Sequence, residues 1–376
     1  MTKQVSKSFV YGISVAGNNF TDRVKESHRL KMNFENGLNV VLISPRRMGK
    51  TSLVHRVQEI VNPDIVQTVY LDIYDCRSEY DFYNKFAVAL MKQTANKMEL
   101  AIENIKQFLV RLSPKISFSP DSVSDYSISL GITPKEYSPE EILELPELLA
   151  KRIGKHIVVC IDEFQQIGEW QDSLTVQKRL RGVWQHQQHV SYCLFGSKQH
   201  MMTHLFQNKR MPFYQFGEPN YLHPIPTEDW IPFIQSKFAD KGLTIDAQYV
   251  SQICELVENQ SSYVQQLAWN VMLNTEDVVS AQEIRLGVED LLAQCTPLFM
   301  EQISTLTNYQ LNSLRASIDG QHNQWTSKEV LSKYQLGTKS NIIRIQKTLI
   351  EKDFVEQRED GFYLADPVLQ IWLQQH

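Results

Sequence analysis

No stretch of this 376-residue sequence approaches the roughly 18 consecutive apolar residues that a membrane-crossing helix needs. Neither a membrane anchor nor a membrane partner is therefore expected. Cysteine is sparse: Cys76, Cys160, Cys193, Cys254 and Cys295 are widely spread and form no CxxC pair. That excludes a zinc ribbon, and an odd, scattered set points to a reducing compartment rather than a disulfide framework. Cys160 and Cys193 fall inside apolar runs, where a thiol is expected to be inert core. Neither sign of charge dominates, with 38 Lys and Arg against 43 Asp and Glu and a net charge of -5. The whole molecule is thus no generic polyanion binder, although one domain can be. The first residues contain lysines but no apolar h-region, so the expected setting is the cytoplasm. Internal repeats and low-complexity tracts are lacking as well.

What is present is ordinary globular composition, 42% hydrophobic and 22% charged, at a length that suits two or three domains of ~100–200 residues. Residues 1–21 read as an extended lead-in. Helical periodicity follows from about Asp22 to Asn36, with Gly37 placed to end it. Asn39–Ser44 is a short β-branched run of the kind buried on both faces of a parallel sheet. Further strands are expected at Thr68–Tyr74, Ile157–Ile161, Tyr192–Phe195 and Tyr221–Ile225. Helices are expected at Lys50–Val61, Tyr80–Leu100 and Ser138–Gly154, the last opened by Ser138 and Glu141 at capping-box spacing. Residues 113–131 alternate around a Pro-Asp-Ser turn, the pattern of a hairpin. The alternation of strands with helices predicts an α/β core with a parallel sheet over 22–226, interrupted by the 113–131 insert. From 227 to 295 the pattern is that of a helical lid.

The segment from Ser44 to Ser52, SPRRMGKTS, lies between an expected strand and an expected helix. Phosphate binding needs inward N–H groups, a helix N-terminus and a cation, and this segment supplies all three. Pro45, Arg46, Arg47, Met48, Gly49, Lys50, Thr51 and Ser52 are the candidate ATP-binding residues. Gly49 permits the close turn, Lys50 reaches the β- and γ-phosphates, and Thr51 offers its hydroxyl to Mg²⁺. Ser44 stands where the full pattern has its first glycine. The alternative is a surface loop with a basic helix start, which the flanking strand and helix argue against.

A second motif is Ile157–Glu163 (IVVCIDE), which ends an apolar strand in two acids, with Asp162 lying 112 residues after Lys50. Consecutive strand residues face opposite ways, so the two acids take different tasks. Asp162 is suited to hold Mg²⁺ and Glu163 to act as general base on the attacking water. After the next strand, Ser197 is the candidate sensor of the γ-phosphate, a plain turn being the alternative. Lys209 and Arg210 are placed for an arginine finger toward a neighbouring subunit, Arg210 being the candidate, or are two surface charges.

The C-terminal stretch 296–376 runs helix, helix, turn, helix and two-stranded ribbon, the order of a winged helix-turn-helix. Thr326 with Glu329 has capping-box spacing, and Ser340 is a candidate cap of the third helix. Between Ser327 and Arg358 seven Lys and Arg face four acids. Lys339, Asn341, Arg344 and Lys347 could face a DNA major groove, so double-stranded DNA through 326–358 is one candidate partner. A protein contact or a structural cap is the other reading of the same module.

With these motifs assembled, the chain resembles the archaeal ATPase family, part of the broader AAA+ and STAND group and akin to origin-recognition ATPases. Phe20, Arg23 and Glu26 look like that family's entry motif beside the adenine pocket. Pro45–Leu53, Ile161–Phe164 and Phe195–Ser197 resemble its P-loop, Walker B and sensor segments, and Asp366–Leu373 its C-terminal signature. The resemblance implies a P-loop NTPase core of the AAA+ or ASCE type, a helical lid and a C-terminal winged-helix domain, with ATP, ADP and Mg²⁺ as ligands. In the lid, Ser261–Gln266 stands where such ATPases place a sensor, but it holds no arginine, so Tyr263 and Trp269 read as helix packing. Three functions remain open at this point. They are an ATP-hydrolysing protein acting on DNA, a protein partner or its own copies; a low-turnover ATP switch; and a transcription regulator with a structural nucleotide site.

Overall fold

The computed structural model describes residues 8–15, 17–95 and 139–376. The hairpin expected at 113–131 and the expected cap Ser138 lie outside these residues. The chain forms two compact units, one of Arg23–Arg46 with Lys50–Leu222, the other of Met1–Asp22, Arg47–Gly49 and His223–His376.

In the first unit, α1 (Val24–Glu35) leads to β1 (Val40–Ile43), α2 (Lys50–Ile60), β2 (Val66–Asp72) and α3 (Glu79–Ala95). Next among the described residues come α4 (Pro139–Ile153), β3 (His156–Asp162), a 3₁₀ turn at Phe164–Gly168 and α5 (Ser173–Trp184). β4 (Val190–Gly196), α6 (Gln199–Gln207) and β5 (Glu218–Tyr221) complete it. The five strands are parallel in the order β2-β3-β4-β1-β5. β1 and β4 are buried throughout and β3 everywhere but its first residue, which is why their sequences are unbroken apolar runs rather than alternating ones. Placing β4 between β1 and β3 sets the C-terminal end of β4 between the Lys50 loop and the acid pair. Ligand sites in open α/β sheets form at such strand ends.

β5 begins three residues earlier than the apolar pattern implies. It pairs only with β1, Val40 beside Glu218 through Ile43 beside Tyr221, and an edge position tolerates Pro219. The apolar Leu222 and Ile225 that suggested the strand are buried after it has ended. The core packs Phe164, Phe213 and Phe216 around Trp184, whose ring stacks on Tyr192 at 4.0 Å. Each such side chain contributes about 1.5–3 kcal/mol by leaving water. Where β4 begins, Glu147 of α4 accepts the backbone N–H groups of Gln188 (3.2 Å) and His189 (2.9 Å) on Oε2. Its Oε1 takes the His189 ring (2.8 Å) and Lys151 (3.1 Å). Burial works against the charge, but the His189 and Lys151 bonds outweigh it and hold the carboxyl at about 2.

The second unit has a separate core running from Phe9 and Ile225 to Leu373. Its helices are α7 (Thr227–Ala239), α8 (Ala247–Leu256), α9 (Ser261–Leu273) and α10 (Ala281–Ser304), then α11 (Asn308–Ile318), α12 (Lys328–Lys333) and α13 (Lys339–Glu351). The ribbon β6 (Val355–Arg358) and β7 (Gly361–Leu364) precedes α14 (Pro367–Gln375). Ser280 with Glu283 and Thr307 with Gln310 form capping boxes that the sequence reading passed over. The caps expected at Thr326 and Ser340 are instead Ser327, which accepts from Val330 N–H, and Thr338, which accepts from Asn341 N–H. Each site offers neighbouring hydroxyls, and the one three residues before a free N–H is used. The lid boundary expected at 295/296 falls inside α10, a continuous helix of 24 residues. Pro297 removes one backbone donor there. Beside it, Thr296 Oγ1 donates to Leu292 O (2.7 Å) and accepts from Trp372 Nε1 (2.9 Å). No helix among the described residues is long and apolar enough to cross a membrane.

Candidate functional site

β1 ends at Ile43 and α2 begins at Lys50, so the loop between them closes onto a helix N-terminus. Gly49 has a φ of 83°, and a Cβ built there would meet nothing within 4 Å. Gly49 therefore leaves room beside the helix end, where N–H groups and the helix dipole favour an anion. Ser44 is not in the left-handed region that would demand glycine; Arg47, with a φ of 66°, is. Ser44 is buried, and both its carbonyl (3.0 Å) and its hydroxyl (3.2 Å) accept from Lys50 Nζ. A third bond runs from Nζ to Pro45 O (2.8 Å). Burial pulls Lys50 down to about 8, Arg46 in the same direction, while Asp162 and Glu163 favour its charge. A buried ammonium resting on loop oxygens is the partner that a phosphate group fits.

Asp162 ends β3 and is buried. Its Oδ2 accepts from Thr51 Oγ1 (2.7 Å) and Tyr70 OH (3.2 Å), and its Oδ1 from the Glu163 N–H (2.8 Å). Burial raises the Asp162 pKa, the Thr51 bond opposes this, and the charge of Glu163 adds to it. A divalent cation at Thr51 and Asp162 would offset that cost, so these residues fit Mg²⁺. The two acids do diverge, but not by strand alternation. The strand stops at Asp162, and Glu163 sits in the left-handed region with a φ of 55°, a strain of about 1–3 kcal/mol for a non-glycine residue. Glu163 Oε2 accepts from Ser197 Oγ (2.9 Å) and from Gln165 Nε2, whereas no described residue donates to Oε1.

Lys50, Thr51, Asp162, Glu163 and Ser197 are thus gathered at the C-terminal ends of β1, β3 and β4. Ser52 and Met48 are buried beside Lys50 and Arg46 is exposed. Arg23 precedes α1 in the left-handed region, buried and paired with Glu26 at 2.9 Å, and Phe20 N–H closes a turn on Gly17 O (3.1 Å). Lys209 and Arg210 are exposed on the turn after α6, with no contact to the cluster among the described residues.

Arg47, expected in the phosphate cradle, groups with the second unit. Its carbonyl accepts from Ser262 N–H (3.2 Å), its guanidinium lies 4.2 Å over the Tyr263 ring, and it pairs with Asp366 Oδ2. Burial opposes the Arg47 charge, but Asp366 outweighs it and raises the pKa. Tyr263 is therefore more than the helix packing expected of it, since its hydroxyl donates to Asp366 Oδ2 at 2.7 Å. Asp366 Oδ1 meanwhile caps α14 through Val368 N–H and Leu369 N–H. Sequence reasoning missed Gln165, Tyr70 and this use of Tyr263. For Tyr70 and Gln165 a signal existed: a polar tip inside an apolar strand, and an amide two residues beyond the acid pair.

Residues 297–375 match the family described as a probable winged helix domain. No curated protein matches the sequence. Among solved structures, the fold is similar to a Walker-type ATPase of Pyrococcus abyssi, with 16% identity and a TM-score of 0.70 over 98% of this chain and 100% of that one. It is also similar to the ORC2 protein of Aeropyrum pernix, solved with ADPNP and ADP, with 14% identity and a TM-score of 0.57 over 94% and 95%. The ORC1 protein of Aeropyrum pernix, solved with DNA, follows with 12% identity and a TM-score of 0.50 over 96% and 94%. The chain shares the fold of these archaeal proteins, a parallel α/β sheet of the P-loop type, and carries a winged helix domain at residues 297–375.

Proposed function

We propose that this protein binds Mg-ATP at the C-terminal ends of β1, β3 and β4, hydrolyses it, and uses its nucleotide state to change partner binding through the winged helix. The carrying observation is a pair of hydroxyl-to-carboxylate bonds between distant parts of the sequence, Thr51 to Asp162 across 111 residues and Ser197 to Glu163 across 34. They bring the loop lysine, a metal-ligand pair and a candidate base to one place. Lys50 would exchange its loop oxygens for phosphate oxygens. Thr51 and Asp162 would hold Mg²⁺, which when bound offsets charge on the β- and γ-phosphates. Glu163 Oε1 is free to take the proton of the attacking water, whose oxygen bonds the γ-phosphorus as ADP leaves with the electron pair of the broken bond. Phe20 and Arg23 are assigned to the adenine side, and exposed Arg210 to a neighbouring copy. The test is Mg²⁺-dependent ATP turnover with fluorescent-nucleotide binding in parallel. Turnover lost in Glu163→Gln with binding kept, and binding lost in Lys50→Ala, supports the reading. Wild-type protein that neither binds nor turns over ATP removes it.

For the winged helix, the surface favours a protein partner over DNA. Lys339, Arg344 and Lys347 are exposed on α13, but Ile343 among them is 67% exposed. The wing is acidic: Glu359 and Asp360 form its turn, and its one arginine, Arg358, is paired with Glu356 and Glu258. Counted over 327–360, seven basic residues face six acids, a balance of +1. A DNA-binding wing needs free cations for phosphates. Anisotropy of a labelled duplex at low salt should stay flat with the full chain. Salt-sensitive binding weakened by Lys347→Ala would restore the DNA reading.

A further inference from the structure

We infer that Gln165 is a positioning residue that aims the Glu163 carboxylate, an assignment that rests on the reading of Glu163 as the base. Gln165 lies in the 3₁₀ turn directly after the acid pair and is 1% exposed. Its Nε2 donates to Glu163 Oε2, the same oxygen that accepts from Ser197. Two donors on one oxygen fix the carboxylate plane and leave Oε1 as the oxygen available to a water. The side-chain amide cannot be turned around, because its oxygen would then face the carboxylate oxygen.

A second observation shows that the placement is built in. The Gln165 Oε1 atom is buried without a hydrogen-bond partner among the described residues, an arrangement that costs stability. That oxygen lies 1.7 Å from where a Cβ on Gly196 would stand. Glycine at the end of β4 is thus what lets the Gln165 side chain lie across the strand end. Gly196 also precedes Ser197, so one backbone step provides both the room for the first donor and the attachment of the second. A glutamine kept only for packing would have no need to leave its carbonyl unpaired in order to aim its amide. The strained backbone of Glu163 supports the same conclusion, since a left-handed residue is held by its surroundings rather than by its own preference.

Steady-state kinetics of the full chain with Mg-ATP test the assignment, using Gln165→Met, which keeps the shape and removes the donor, and Gly196→Ala, which displaces it. Each should lower kcat about 10- to 100-fold and leave KM within about twofold, the pattern of a group that acts on the transition state. In a Glu163→Gln background Gln165→Met should have no further effect. Thermal melts identify a variant that fails to fold, in which case the other carries the test. If kcat is unchanged in every folded variant while Glu163→Gln is inactive, the positioning role is overturned and the base survives. If Glu163→Gln retains full turnover, or the wild type has none, the base reading fails and this assignment with it.

Discussion

Glu147 and Glu163 serve the same two strands at opposite ends, and their oxygens are used differently. At the start of β4, Glu147 has both oxygens engaged, two backbone N–H groups on Oε2 and a ring and an ammonium on Oε1. At the far end of β3, Glu163 has two donors converging on Oε2 and none among the described residues on Oε1. The first carboxylate is held ionised and has nothing left to offer a water. The second is oriented yet retains an oxygen able to accept a proton. Chemistry therefore depends less on how many bonds a carboxylate makes than on how they are shared between its two oxygens.

The comparison breaks first at Glu163. Replacement by glutamine should reduce ATP turnover by about 10²–10³-fold with nucleotide affinity within twofold, because only the proton acceptor is lost. Unimpaired turnover would make the two glutamates equivalent. Glu147→Gln should do the reverse, leaving kcat within twofold at 25 °C but removing about 2–3 kcal/mol of stability, read as a lower urea midpoint. The sign with pH follows from the direction of the shift. The folded carboxyl at about 2 lies below its ordinary value of 4.5, so its contribution is complete above about pH 4.5 and disappears as pH falls toward 2. The gap in urea midpoint between wild type and Glu147→Gln should accordingly narrow between pH 5 and pH 3. A smaller effect is expected at Ser197→Ala, about a tenfold loss in kcat or 1.4 kcal/mol, because Gln165 still holds Oε2. Smallest of all is Arg358→Ala on the wing, an exposed ion pair whose loss should shift the melting free energy by less than about 0.5 kcal/mol.

Much of this was legible in the sequence, for physical reasons that differ by element. β1, β3 and β4 are buried along their length, so hydrophobicity alone located them within a residue or two. β5 was expected three residues late because an edge strand with polar residues carries no such signal. The grouping of Lys50, Thr51, Asp162 and Glu163 could be expected because the phosphate and metal chemistry proposed for them needs those residue types next to a strand end. Gln165 was visible only as an amide two residues beyond the acid pair, since the contact that places it is with Gly196, thirty-one residues away. The side chain of Arg47 is a related case. A basic residue in a phosphate loop suggests phosphate, and only the fold reveals that Asp366 holds its side chain.

Helix α10 carries a mechanical consequence. At 24 residues it is a shaft about 36 Å long, and from Pro297 onward it lies in the stretch that matches the winged helix. A rotation of about 10° at one end would sweep the other through roughly 6 Å, more than one helical turn. The single joint is at Pro297, and Trp372 grips Thr296 beside it like a splint. A tilt of the helix before Pro297 would then carry the part after it, and loosening that splint would let the two halves move apart as a slipped clutch does.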